Sequence, residues 1–311
     1  MILITGATNL VGRAVARRLV ADGRDIRCLI RPSPRLQQLP MELSFSAMSA
    51  SLTDVPALRA AMEDVTTVIH LTREEDRLEE RTLQAHVEGT VNLLQAAQST
   101  GVTRFIYLSR LGATPASAYP LFRIKGESEV AIAESGLDHT TVRAAVVYGA
   151  DDAFTTRLVM LAKMMPLLLP LPDVGLSRFQ PVWVDDLAYC IAAIPDRPDL
   201  IGKMIALGGP EHFTIEQMVR LVLEGAGMRR LLIHVSMPIM RAAGDSLGSF
   251  LARNPSPTWW LDLAAVGSAT ELGAIPKHFG FEPTRFSQSL AYLRRRRPWR
   301  RDFIRYVLGR G

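Results

Sequence analysis

The sequence predicts an α/β fold built on a doubly wound parallel sheet, and three observations carry that prediction. Short β-branched or aliphatic runs alternate with longer stretches of helical period, the pattern of successive βαβ units. A glycine-rich segment, Thr5-Gly6-Ala7-Thr8-Asn9-Leu10-Val11-Gly12, joins the first apolar run to the first helical stretch. The chain is also long enough, since 311 residues at 48% apolar and 22% charged content suit about two packed domains. That balance excludes a chain disordered throughout.

In order along the chain, strands are predicted at Ile2 to Thr5, Ile26 to Arg31, Leu43 to Met48, Thr67 to Leu71, Phe105 to Ser109 and Thr140 to Arg143. The helical stretches between them are Val11 to Ala21, Val55 to Met62, Leu78 to Ser99 and Ile124 to Glu134, with Gly23 and Gly101 as C-terminal stops. After Gly149 the texture changes: Asp151 to Met165 reads as a helix, followed by a proline-punctuated apolar stretch. A strand-like segment from Arg178 to Val184 leads to a helix that Asp185 and Asp186 are placed to cap. Lys203 to Leu207 is a strand before Gly208-Gly209-Pro210, and Thr214 with Gln217 has capping-box spacing at the next helix. Arg230 to Val235 closes the series as a short strand.

Composition bounds the setting. The longest apolar stretch, Leu158 to Val174, contains Lys163, three prolines and Asp173, so no spanning helix is expected. Met1 to Thr5 has no basic n-region, and Cys28 and Cys190 cannot form a disulfide framework, so a cytoplasmic location is expected. The net charge of +5 is uneven: residues 294–311 hold eight arginines and one aspartate, a local +7 that leaves −2 on the rest. The basicity therefore gives the body no nucleic-acid docking face.

The loop from Thr5 to Gly12 lies where a strand ends and a helix begins. Backbone N–H groups and the positive end of the helix can meet a pyrophosphate there, the alternative being a plain tight turn. With Gly6, Thr8, Asn9, Leu10, Val11 and Gly12, further motifs recur downstream: His86-Val87-Glu88-Gly89-Thr90, Gly101 to Ser109, Lys125-Gly126-Glu127-Ser128-Glu129 and Gln180 to Asp186. On these residues the chain resembles an atypical extended short-chain dehydrogenase/reductase, of the NAD-dependent epimerase/dehydratase-like type, over about residues 1–293. It is most similar to the group containing the nucleotide-binding accessory subunit of respiratory complex I. The resemblance implies a Rossmann domain at 1–150 to which 178–209 return, and a smaller interleaved α/β substrate or partner region at 151–177 and 210–293. Residues 294–311 remain as a basic aromatic tail.

Departures from the family pattern bear on function. Asn9 stands at the usual middle glycine, where its side chain either crowds the pyrophosphate or accepts a positive φ. Ser51 replaces the usual acidic adenine contact, and His86 replaces a common Asn. The tyrosine of the family's YxxxK pair would fall four residues before Lys125, where this chain has Leu121. Tyr119 is offered instead, but it lies six residues from Lys125, about 240° around a helix, and Pro120 places it before the helix. Lys125 is expected to contact the cofactor ribose, as a lysine without that tyrosine suffices for reduction in isoflavone-reductase-like relatives. Ser109 ends a strand at the carboxyl edge, where it either meets a ligand or caps the turn.

Two functions follow: a non-catalytic cofactor-binding subunit or assembly factor of a membrane redox complex, or an NADPH-dependent reductase of a quinone- or enone-like molecule using Lys125, with Ser109 and Tyr119 as lesser catalytic candidates. Arg31 and Ser33 at the second strand's end, with no carboxylate in that turn, favour NADP(H) over NAD(H). Leu52, Leu71, Thr72, His86, Leu108, Ala145, Val146 and Val147 complete the expected cofactor contacts, and Val147, Phe154, Leu158 and Trp183 the substrate cleft. The six histidines are scattered without ligand spacing, so no metal site is expected. In the tail, Trp299, Phe303, Tyr306 and Val307 share an arc of about 100°, with Arg301 and Arg305 opposite. Such a helix suits an anionic membrane surface or membrane-complex partner, or packing on its own domain; nucleic acid is disfavoured for want of a binding module.

Overall fold

The computed structural model describes residues 1–30, 45–71, 80–152, 154–165, 167–173, 177–250, 258–294 and 298–307. The expectations on Arg31, Ser33 and Thr72 lie outside the described residues. In chain order the elements begin β1 (Ile2–Thr5), α1 (Leu10–Ala21), β2 (Ile26–Ile30), β3 (Ser46–Ser49), α2 (Val55–Ala61), β4 (Thr67–His70), α3 (Glu80–Ser99), β5 (Arg104–Arg110), α4 (Pro120–Ala133) and β6 (Asp138–Ala144). They continue as β7 (Val147–Tyr148), α5 (Thr155–Met164), β8 (Leu168–Asp173), β9 (Arg178–Phe179), β10 (Val182–Trp183), α6 (Val184–Ala193) and β11 (Lys203–Leu207). The last are β12 (Phe213–Thr214), α7 (Ile215–Gly225), β13 (Leu231–Ser236), α8 (Met237–Phe250), α9 (Thr258–Val266), α10 (Ala274–Phe279) and α11 (Trp299–Val307).

The chain divides into two compact units, Met1–Ala144 with Val184–Leu207, and Ala145–Trp183 with Gly208–Gly311. In the first, seven strands form one parallel sheet in the order β11-β6-β5-β4-β1-β2-β3. The strands β1, β4 and β5 are buried at every position, as strands covered on both faces must be. Leu3, Val68, Phe105 and Tyr107 pack with Leu58 of α2 and Leu93 and Ala97 of α3 in one core cluster, while α1 packs on α6. The chain winds from β1 out to β3 and returns to β4 on the other side of β1, so the carboxyl ends of β1 and β4 flank the switch point where such sheets take ligands.

Local chemistry explains where the observed elements depart from the predicted ones. Pro120 opens α4 at its first position, where a missing N–H costs nothing. The expected strand from Arg178 to Val184 is split, because Pro181 interrupts it and Gln180 turns its backbone N–H to Ser268 O at 2.8 Å. Asp185 and Asp186 lie within the first turn of α6 rather than capping it, which corrects the capping role; there they complement the helix's positive end.

The second unit contains the pairs β7 with β10, β9 with β12, and β8 with β13. Helix α7 carries the full capping box: Gln217 N–H donates to Thr214 Oγ1 at 3.2 Å and Thr214 N–H to Gln217 Oε1 at 2.8 Å. Tyr148 meets Trp183 and Phe286 edge-on, at centroid distances of 5.2 and 4.7 Å. Helix α11 packs on α5 with Trp299 buried, while Arg301 and Ile304 face solvent. No described helix is long and apolar enough to cross a membrane.

Candidate functional site

At the carboxyl end of β1 the chain must turn sharply into α1, and two glycines make the turn feasible. Gly6 has φ +75°, and a Cβ there would stand 1.8 Å from Leu71 O. A Cβ on Gly12 would stand 2.1 Å from Gly6 O, so the first turn of α1 closes directly on the loop. Asn9 does not take the positive φ considered from the sequence. It is extended, with φ −80° and ψ 171°, as the N-cap of α1. Its Oδ1 accepts from Gly12 N–H at 2.6 Å and its Nδ2 donates to Leu71 O at 3.0 Å, which ties the loop to the end of β4.

The N–H groups of Leu10 and Val11 also belong to the first turn of α1, and a helix offers its own first turn no acceptor. They stand at the positive end of the helix, with Arg13 anchored beside them on Thr8 O at 2.8 Å. Donors, dipole and a loop without side-chain bulk at Gly6 and Gly12 fit a pyrophosphate.

Beneath the loop lies a buried polar row that the candidate set from the sequence missed. Thr5 Oγ1 is 2.6 Å from His70 Nδ1, and His70 Nε2 is 3.2 Å from Thr90 Oγ1. Thr90 gives its one hydroxyl proton to His86 O at 3.0 Å. It can then accept from His70 Nε2–H, and in that tautomer Nδ1 accepts from Thr5. The imidazole stacks on Tyr107, 5.6 Å between centroids and 21° between planes. The available signal was a histidine ending the apolar strand Thr67-Val68-Ile69: a polar ring on a buried strand needs partners.

Helix α4 brings Lys125 to the same edge. Its Nζ donates to Leu108 O at 2.9 Å and lies 5.1 Å from the Tyr107 ring centroid, with the residue 5% exposed. Gly126 sets that approach, since a Cβ there would come within 2.3 Å of Thr114 C. Leu121 is buried on α4, whereas Tyr119 is the half-buried residue before the helix, edge-on to Phe122. Ser109 is buried, and its hydroxyl has no hydrogen-bond partner among the described residues. Leu52 packs where Gly89 leaves room and its carbonyl accepts from Asn92 Nδ2 at 3.0 Å; His86 is buried on α3. Gly6, Thr8, Asn9, Leu10, Val11, Gly12, Leu52, Leu71, His86, Leu108 and Lys125 all belong to the first unit, and Ala145, Val146 and Val147 to the second.

Among the described residues, no group of three or more His, Cys, Asp and Glu side chains is placed to hold a metal ion. Burial pushes the Cys28 thiol up to about 12 and the Cys190 thiol upward as well, which keeps both protonated.

Residues 6–165 match the model of a family described as NAD(P)H-binding. The NADH dehydrogenase (ubiquinone) 1 alpha subcomplex subunit 9, mitochondrial, of Arabidopsis thaliana is 27% identical over 262 residues, covering 82% of this chain and 65% of that protein. The Photosystem II assembly factor Ycf39 of Synechocystis sp. is 30% identical over 146 residues, 46% of this chain and 44% of that protein. A ceramide reductase of Caulobacter vibrioides is 26% identical over 276 residues, 88% and 84% of the two chains. This chain thus spans under two thirds of the length of the Arabidopsis subunit, and 59% of a second, chloroplastic Arabidopsis relative. Among solved structures, an NADPH-dependent quinone oxidoreductase of Escherichia coli aligns with TM-score 0.76 over 94% of this chain and 99% of that one, at 21% identity, a likeness of fold.

Proposed function

Because the chain belongs to the NAD(P)H-binding family, we propose that its first unit binds NADP(H) and that it serves as a non-catalytic cofactor-binding subunit or assembly factor of a membrane redox complex. One observation carries the non-catalytic part. Leu121, buried and aliphatic, occupies the place four residues before Lys125 where the resemblance calls for a proton-donating tyrosine, and it has no proton to exchange. The complex I subunit and photosystem assembly factor among the relatives support the same reading.

The Leu10 and Val11 N–H groups would hold the pyrophosphate, Arg31 the adenosine phosphate, and Lys125 the nicotinamide ribose. When bound, the cofactor would supply a hydride carrier. Lys125, held by Leu108 O, would act as a fixed positive charge beside it.

A second reading, a reductase of a small quinone- or enone-like molecule, is favoured by Ser109, whose hydroxyl, near the carboxyl end of β5, has no hydrogen-bond partner among the described residues. The ceramide reductase, similar over most of both chains, supports it too. Single-turnover mixing of the protein and NADPH with a panel of quinones and enones separates the two. A cofactor that stays reduced with every acceptor supports the non-catalytic role. Oxidation that disappears in Lys125→Ala establishes the reductase, and absence of any NADPH binding overturns both.

The tail would hold the protein at the cytoplasmic face of a membrane or on a membrane-embedded complex through its arginines, each worth about 1 kcal/mol near an anionic surface. Trp299 is buried, which leaves that task to the charges and to the exposed Ile304.

A further inference from the structure

The phosphate loop begins with a residue that has no means of holding its own shape. Gly6, at φ +75° and without a side chain, is conformationally permissive, so whatever fixes the turn must lie outside it. Two consecutive residues at the end of β4 supply the fixing contacts. Leu71 N–H donates to Thr5 O at 3.2 Å, Leu71 O accepts from Asn9 Nδ2 at 3.0 Å, and Thr5 Oγ1 stands 2.6 Å from His70 Nδ1. Gly6 O in turn accepts from Asn9 N–H at 3.0 Å, so the turn at Gly6 sets where α1 starts.

Of these contacts, the one to His70 fixes the side chain of the last residue of β1. Threonine is stiff at χ1, so holding its Oγ1 also holds the backbone of Thr5 and the peptide that joins it to Gly6. The imidazole is itself held. Its Nε2 lies 3.2 Å from Thr90 Oγ1 on α3, its plane lies 21° from that of Tyr107 on β5, and the Thr90 hydroxyl is tied to His86 O at 3.0 Å. A ring engaged at both nitrogens and on one face is held against rotation away from Thr5. Thr5, His70 and Thr90 are all buried, which shields these bonds from solvent.

Such a row exceeds what packing requires. A leucine or phenylalanine at position 70 would fill the place beside Phe105 and Tyr107 without needing partners, whereas the histidine engages two hydroxyls, one from β1 and one from α3. We infer that His70 is a positioning residue for the phosphate loop: through Thr5 it holds the turn at Gly6 so that the Leu10 and Val11 N–H groups meet the diphosphate of a nucleotide together. This deepens the cofactor reading above, on which it rests.

Competition against the fluorescence of bound NADPH gives the affinities of the full chain and its variants for ADP and for adenosine, two ligands that differ only in the diphosphate. Thr5→Val, which keeps the shape and loses the hydroxyl, should bind ADP about tenfold more weakly, with adenosine changed less than about twofold. Thr5→Ser, which keeps the hydroxyl, should stay within about threefold of wild type on ADP. Thermal unfolding separates positioning from packing. Thr5→Val removes the partner of His70 Nδ1 and should lower Tm. Thr5→Val with His70→Phe removes both polar groups and keeps a ring against Tyr107, so it should recover much of that loss while ADP binding stays weak. ADP bound by Thr5→Val as tightly as by wild type, ADP and adenosine weakened in proportion, or ADP affinity that returns with stability in the double variant overturns the role of His70. Wild type that binds neither NADPH nor ADP overturns the cofactor reading itself, and the positioning role with it.

Discussion

Asn9 joins three segments through one side chain: the loop it sits in, the first turn of α1 through Gly12, and the end of β4 through Leu71. Replacing it by alanine removes a helix cap and leaves Leu71 O short of a partner, so Asn9→Ala should cost about 1 to 2 kcal/mol in urea unfolding. Asn9→Gly, a tolerable cap that restores the glycine of the resemblance, should cost less and bind NADPH at least as tightly; a tenfold loss of affinity in Asn9→Gly would show that the amide itself serves the cofactor. Asp152 supplies a pH-dependent counterpart. Burial raises its carboxyl from 3.8 to about 6, against the opposing pull of hydrogen bonds from Thr156, Thr155, Gly149 and Phe154. An acid raised on folding favours the protonated native state, so its contribution falls as pH rises from about 4 to about 6 and is level above that. Relative to Asp152→Asn, wild type should therefore lose about 3 kcal/mol across that window, and a difference independent of pH would refute the assignment. The glycines of the phosphate loop were legible in the sequence from their place between a strand and a helix, and Lys125 from the family resemblance. The partners of Asn9 and the row from Thr5 through His70 to Thr90 were not, since they join residues 62, 65 and 20 positions apart.

At the scale of elements, α4 places Lys125 only because it lies against the loop at Thr114 and Pro115, and Gly126 is what lets it approach. Gly126→Ala would gain up to about 1 kcal/mol of helix propensity on an isolated helix. Here the added methyl collides with backbone, and overpacking of this kind costs about 1 to 3 kcal/mol. The variant should therefore be less stable than wild type by thermal unfolding and bind NADPH more weakly as Lys125 shifts; greater stability with unchanged affinity would show that the contact relaxes freely. The elements that the sequence displayed most clearly were those with a repetitive physical cause. Ile2–Thr5 occurs as expected because a continuous aliphatic run suits a strand buried on both faces; Lys203–Leu207 also occurs as expected, as an edge strand whose Lys203 and Met204 are exposed. The segment Leu168–Asp173 looked like an irregular proline-rich link, since proline argues against a strand until its open edge is known. That edge is set by Leu231, more than sixty positions downstream, where no local pattern reaches.

For the whole molecule, the chain passes between its two units after Ala144, after Trp183 and after Leu207, so neither unit is continuous. A fragment ending at Ala144 contains the phosphate loop, Lys125 and six strands, yet it lacks β11, which pairs with β6 over five residues, and α6, which packs on α1. Its last strand would present an open row of backbone groups, and the apolar side of α1 would face water. A fragment ending at Leu207 restores both elements, at the cost of carrying residues 145–183 without the rest of their unit. The cofactor reading makes the comparison quantitative, because a ligand that binds only the native state stabilises it by about 2.7 kcal/mol at 100 times its dissociation constant. Fragment 1–207 should therefore show a cooperative thermal transition that NADPH moves upward, whereas fragment 1–144 should show neither cooperativity nor a shift. Were the shorter fragment to melt cooperatively and respond to NADPH, the return of the chain through α6 and β11 would be dispensable, and the cofactor site would be a property of the first six strands alone.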